Sequence, residues 1–283
     1  MHTVDLKVYL IARSEIQAPE AAGWLHDQGV GDRAIGRLVD AEKTDAEVIV
    51  ELAGRRCYKS FEPGLNANVT KIREDVVEYI DNILKVGHGS VLEHVSFTFA
   101  IENVSRVFTG EMNRHRAGMA ISEGSMRYIR FEDIPFWMPD SIAENYKLDN
   151  DIDVGGRNKI GLKKEKSRDV FNRAFAAAEG FYKELNEIWA EELAPESKFH
   201  LKKQITSMMR RIIPMGVATG GVWTGNIRAL RHIFNMRCDE AAEEEILHVA
   251  NMMLKLMAEA EPTFFKDFTK NEKGFYRPKY AKV

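Results

Sequence analysis

Val91-Leu92-Glu93-His94-Val95-Ser96-Phe97-Thr98-Phe99-Ala100-Ile101 is a run of β-branched and aromatic residues entered through the turn His88-Gly89-Ser90. Such side chains fit a pleated, half-buried surface, so the run predicts a central strand over residues 91–101. Immediately upstream, Val69, Ile72, Val76, Val77, Ile80, Ile83 and Leu84 recur at helical spacing and stop at Gly87, which predicts an amphipathic helix over residues 66–86. Farther upstream, residues 4–12 read as a second strand and residues 18–27 as a short helix. Downstream, Ser105 can cap a helix running to about His115, residues 117–125 form a small-residue loop, and residues 126–131 read as another strand. Residues 146–166 mix Asp, Asn, Gly and Lys without apolar period and predict a surface excursion. Beyond Ser167 the helical period dominates, over residues 170–189, 198–213, 225–237 with Thr224 as cap, and 241–260. Strands mainly in the N-terminal half and a helix-rich C-terminal half predict a single α+β domain over residues 1–283, not a doubly wound sheet.

Composition narrows the function. Hydrophobic residues are 45% and charged residues 29% of 283, values of a chain that buries a core. Forty Lys and Arg against 43 Asp and Glu leave a net charge of -3, so no global positive field draws the protein to a nucleic-acid polymer or an anionic membrane. Any anion it binds must be held locally. Cys57 and Cys238 make neither a disulfide framework nor a zinc spacing, which predicts a reducing cytoplasm and no metal. The apolar run at residues 8–12 ends at Arg13, and no stretch approaches 18 apolar residues, so neither a secretory leader nor a membrane anchor is expected.

Four arginines and a single acid lie between residues 114 and 130, in Arg114-His115-Arg116, Gly118, Ser122-Glu123-Gly124-Ser125, Arg127 and Arg130. Glycines let the backbone approach a ligand, and arginine forks match a phosphate bidentately. A surface arginine patch is the alternative reading. On residues 225–237, the apolar stripe Ile227, Leu230, Phe234 is continued by Arg237, so a guanidinium ends a buried face and needs an acceptor, which a ligand, Asp239 or helix carbonyls could supply. Arg228 and His232 share a face at i and i+4, near Asn226. His88 and His94, six apart, match no metal spacing, and His94 is expected in the core. Met252, Met253 and Met257 are expected to pack a helix.

Together these segments resemble the flavin-dependent thymidylate synthases. Arg114-His115-Arg116 followed by Ser122-Glu123-Gly124-Ser125-Met126-Arg127-Tyr128 is similar to the family's signature. Gly87-His88-x-Ser90-x-x-Glu93-His94 resembles its flavin-contacting turn. Arg210 before Pro214, then Trp223, Asn226, Arg228 and Asn235-Met236-Arg237-Cys238-Asp239, resemble its C-terminal block, and the three blocks span residues 53–240.

The resemblance implies the family's fold, a homotetramer with FAD at subunit contacts, and reductive methylation at C5 of dUMP or UMP. NADPH would reduce the flavin and methylenetetrahydrofolate would give the carbon, with no cysteine attacking the pyrimidine. By matching positions, His88, Ser90, Arg114, His115, Arg116, Glu123, Asn226, Arg228 and His232 would contact FAD. Glu111, Arg114, Glu123, Ser125, Met126, Arg127 and Arg210 would hold the nucleotide. Arg237 would face the uracil as the catalytic cation. The chain departs from the common pattern in the eight residues Ala117 to Gly124 before Ser125, where seven are usual, and in Glu111, His232 and Ala241. A nucleotide sensor without turnover, or a methyltransferase using Cys57 or Cys238, are the alternative readings.

Overall fold

The computed structural model describes residues 2–142 and 157–282, the side chains of 157–162 excepted. In chain order the elements are β1 (His2–Thr3), β2 (Lys7–Arg13), α1 (Ala18–Asp27), α2 (Asp32–Leu38), α3 (Asp45–Tyr58), α4 (Val76–Val86), a 3-10 turn (Gly89–His94), β3 (Ser96–Ser105), α5 (Arg106–Met112), β4 (Met119–Glu123) and β5 (Pro135–Phe136). Then follow 3-10 turn Asp140–Ile142, α6 (Arg157–Ile188), α7 (Phe199–Met209), 3-10 turn Arg210–Ile212, β6 (Ala218–Asn226), α8 (Ile227–Arg237), α9 (Glu244–Ala260), α10 (Pro262–Phe265), β7 (Phe268–Lys270) and β8 (Tyr276–Pro278). The fold is α+β. Its largest sheet has the order β2-β3-β6-β4, so the predicted central strand is central, and β6 joins it from the C-terminal half.

Several expectations need correction. The stretch 91–101 starts as a 3-10 turn, and the strand runs Ser96–Ser105. Helix α4 begins only after its Asp75 cap, whose side chain accepts from Glu78 N. The predicted small-residue loop contains β4, whereas residues 126–131 make a turn in which Ser125 O accepts from Tyr128 N and Ile129 N. Asn226, not Thr224, caps α8, because β6 continues through Thr224. Of the predicted excursion, residues 146–156 lie outside the described residues, and Arg157 to Lys166 open α6.

The chain divides into two compact units. Unit 1 comprises residues 1–7, 101–114 and 122–222, and unit 2 comprises 8–100, 115–121 and 223–283. In unit 2, Phe97 and Phe99 alternate inward on β3 and are fully buried, each contributing about 2 kcal/mol of apolar burial. Ile227 N donates to Val95 O and Thr98 Oγ1 pairs with Thr224 Oγ1, so β3 and β6 run antiparallel there. Leu25, Ile35, Leu38, Val48, Leu52 and Phe61 form a second core beneath α1, α2 and α3. Thr44 and Glu47 make a reciprocal capping box at the start of α3. Glu51, wholly buried on α3, accepts twice from Arg55 (2.8 and 2.6 Å) and once each from Arg37 (3.3 Å) and Lys43 (2.7 Å). Those arginines also donate to the carbonyls of Ser60, Phe61 and Arg73, which fixes the backbone that follows α3.

In unit 1, Met126, Ile134, Tyr182, Ile205, Met209 and Val217 pack as one core under α6 and α7. Asn103 holds a left-handed backbone (φ 64°) and donates to Asp5 O at 2.7 Å. After this residue the buried phase of β3 shifts to Val104 and Ser105, and Ser105 Oγ then accepts from Val107 N and Phe108 N to cap α5.

Candidate functional site

Unit 2 gathers the histidine of the Arg-His-Arg triplet with both ends of α8. Ile227, Leu230 and Phe234 are buried, which orients the helix and leaves Arg237 half-buried at its last turn. Its Nε donates to His115 Nε2 at 3.0 Å. A ring nitrogen that accepts carries no proton, so in this arrangement His115 is the neutral tautomer protonated at Nδ1. The His232 ring lies edge-on to His115, 6.0 Å between centroids. Asp239, the alternative partner for Arg237, is ion-paired with Arg277.

At the other end of α8, Asn226 Oδ1 accepts from Ala229 N (2.8 Å) and Asn226 N donates to Gly118 O (3.1 Å). Gly118 has φ +69°, and a Cβ on it would stand 2.6 Å from Asn226 Nδ2 and 3.0 Å from Ala229 Cβ. The close approach that ties the triplet's loop to α8 therefore requires glycine. Arg116 is exposed beside it.

Arg228 is exposed and pairs with Glu93 at 2.5 Å, so Glu93 of the His88 turn holds it. His88, Ser90 and Arg228 border a cavity of about 1160 Å³ whose other walls include Arg55, Tyr58 and Arg73. His94, expected in the core, is exposed, because the 3-10 turn buries Val91 and Leu92 instead.

Unit 1 holds the remaining predicted residues. Glu123 is ion-paired with Arg106 and accepts from Asn113 Nδ2 at 2.9 Å. Burial, and then the charge of Arg210, lowers the Arg106 guanidinium from its usual value, which brings Arg210 into the same electrostatic group. Arg106 was not among the sequence-derived candidates. A cation in the first turn of a helix opposes the macrodipole, and that misplacement was the available signal. Glu111 accepts from the exposed Arg114 at 3.4 Å. Ser125 Oγ accepts from Arg127 N at 3.4 Å. Met126 differs from expectation: its side chain belongs to the core of unit 1.

Arg127, His200, Lys203, Ser207 and Arg211 line a 340 Å³ recess. Tyr128 stacks on Phe199 with ring planes 5° apart, and a hydrogen bond from Lys203 lowers its hydroxyl pKa. Arg127, Lys203 and Arg211 make this recess cationic, which suits an anion.

Of the two cysteines, Cys238 offers little nucleophile. Cys238 is fully buried and burial pushes its thiol up to about 12, while Cys57 is exposed on α3. Met253 and Met257 are buried in α9, as helix packing requires.

The family model described as "Thymidylate synthase complementing protein" matches residues 37–263. The chain is 31% identical over 268 residues to the flavin-dependent thymidylate synthase of Corynebacterium aurimucosum, covering 93% of this chain and 91% of that one. The chain belongs to the flavin-dependent thymidylate synthase family. Another family relative, the flavin-dependent thymidylate synthase of Mycobacterium tuberculosis, is 31% identical over 267 residues, covering 94% of this chain and 91% of its own. The fold is that of the UMP/dUMP methylase PolB from Streptomyces cacaoi bound with 5-Br UMP, with a TM-score of 0.59, 19% identity, and coverage of 93% of this chain and 92% of that one. As a member of the thymidylate synthase family, the chain is an enzyme of the methyltransferase class. Among the described residues no helix is long and apolar enough to cross a membrane.

Proposed function

We propose that this enzyme methylates C5 of dUMP, and also of UMP, using FAD, NADPH and methylenetetrahydrofolate, as a cytoplasmic homotetramer whose sites lie at subunit contacts. The observation that carries the reading is the Arg237–His115 hydrogen bond beside His232, which brings together three residues the family resemblance assigns to flavin and pyrimidine.

The donor set fits a flavin. His88 and Ser90 are exposed at the cavity wall next to Arg228, and His115 and His232 offer ring edges for a polar heterocycle. Bound flavin would supply the reducing equivalents for the methyl group. Arg228 and Arg116, with Arg114 and Glu123, would hold it.

Arg237 performs the polar work on the pyrimidine. Its Nε is fixed by His115, so its guanidinium is oriented before substrate arrives, and a fixed cation at the uracil edge favours the N3-deprotonated ring with an electron-rich C5. Arg127 and Arg210 would hold the 5'-phosphate, Ser125 would add a hydroxyl, Met126 would contribute only main chain, and Glu111 would accept from a ribose 2'-hydroxyl. The eight-residue segment 117–124 carries β4 over Met119–Glu123.

The test is FAD retention on purification, flavin bleaching by NADPH with dUMP or UMP present, and transfer of labelled carbon from methylenetetrahydrofolate to each nucleotide. Transfer to both supports the proposal. Nucleotide binding without any transfer identifies a sensor, and robust dUMP turnover with none on UMP restricts the substrate to deoxyribose.

A further inference from the structure

The cavity behind His88 adjoins a second recess of about 500 Å³, and the two share Gly87 and Arg228 as a common wall. Lys71 lines the larger, and Lys85 and Lys282 line the smaller. All three lysines are exposed, and none forms an ion pair among the described residues. The arginines of the same walls are engaged already: Arg55 with buried Glu51, Arg73 with Glu78 at 3.8 Å, and Arg228 with Glu93. A chain of net charge -3 thus keeps an uncompensated row of cations along two joined hollows. Like charges so placed repel one another until a counter-anion arrives.

The character of the row indicates the anion. A phosphate concentrates charge at one point and is best met by an arginine fork, whereas these unengaged groups are single ammonium charges spread on either side of the Gly87–Arg228 wall. We infer that the joined recesses bind an extended chain bearing several carboxylates, one after another. In the reaction proposed above, the reactant with that chemistry is the γ-glutamyl tail of the reduced folate, so the inference rests on that reading. His88, Ser90 and Arg228 stay with the flavin, and the folate's tail would run past Lys71 toward Lys85 and Lys282.

The experiment compares the binding of tetrahydrofolate carrying one and three glutamates to the FAD-loaded full-length enzyme, at low ionic strength, by calorimetry. The triglutamate should bind about tenfold tighter, and in the combined variant Lys71→Gln, Lys85→Gln, Lys282→Gln the two should agree within about twofold, since each surface contact is modest and screened by salt. Equal affinity of both forms for the unmodified enzyme, with labelled-carbon transfer intact, overturns the inference and spares the proposed function. Absence of binding by either form together with absence of transfer overturns both. If the three substitutions instead weaken FAD or NADPH and preserve the triglutamate advantage, the recesses serve a phosphorylated ligand and the assignment to carboxylates is wrong. Because all three lysines are exposed, thermal melting of the variant should match the parent enzyme.

Discussion

Arg237 has to satisfy two neighbours, since its Nε donates to His115 while its guanidinium serves the proposed pyrimidine site. Lysine would keep the charge and lose the planar fork. Arg237→Lys is therefore expected to lower kcat by at least about a hundredfold with a smaller change in nucleotide Kd, whereas Arg127→Ala should chiefly raise KM, because a phosphate clamp holds ground and transition states alike. Steady-state kinetics with parallel nucleotide binding would check this, and identical profiles for the two variants would defeat the division of roles. The thiols make a second case. With Cys238 raised to about 12 by burial, almost none is thiolate at pH 8, so iodoacetamide should modify only Cys57 in the native protein and both thiols after denaturation, as read by mass spectrometry. At this scale the sequence was informative where residues carried a local pattern. The stripe Ile227, Leu230, Phe234, Arg237 was legible from its spacing, but His115 as the acceptor, 122 positions away, was not. Glu123's grip on Arg106 was equally hidden, since no short-range pattern records a side-chain contact between the start of α5 and the end of β4.

At the scale of elements, α1 was legible to the residue, and β3 to within a few, since both have clear composition. Helices α2 and α3 were not read, although Thr44 and Glu47 already spelled a capping box. β6 was hidden by its own residues: Gly220, Gly221 and Gly225 have weak strand propensity, and tertiary closeness overrides it, with Ile101 O only 2.9 Å from where a Cβ on Gly220 would stand. The cap of α8 gives a direct test. Gly118→Ala puts a methyl group into Asn226 in a left-handed backbone, and loss of that cap plus backbone strain should cost about 2 kcal/mol. Equilibrium urea unfolding should show a lower midpoint at unchanged slope. Stability equal to the parent enzyme would mean that Asn226 does not need this contact.

At the scale of the whole molecule, distant parts of the chain lock unit 2 together. Thr44 Oγ1 donates to Glu261 Oε2 at 2.6 Å and Thr263 Oγ1 to Glu47 Oε1 at 2.5 Å, joining the starts of α3 and α10. Burial raises the Glu261 carboxyl above its ordinary value. The fold thus favours the protonated acid, and that contribution is fully present below the unfolded pKa and lost as pH rises through the folded one. Glu261→Gln imitates the protonated form and keeps an acceptor for Thr44. It should melt higher than the parent enzyme at pH 7, with the gap closing toward pH of about 4, where the wild-type carboxyl is itself protonated. A gap independent of pH would disprove this account. The same interleaving, in which unit 2 is stitched from residues 8–100, 115–121 and 223–283, also governs how the protein is made. A ribosome releases the first of these stretches long before the last, so α3 waits for α10, and His115 waits for Arg237, while the intervening chain is translated. Arg237 is among the late arrivals, and a nascent chain stalled before it would display the apolar faces of an unfinished unit to chaperones and proteases.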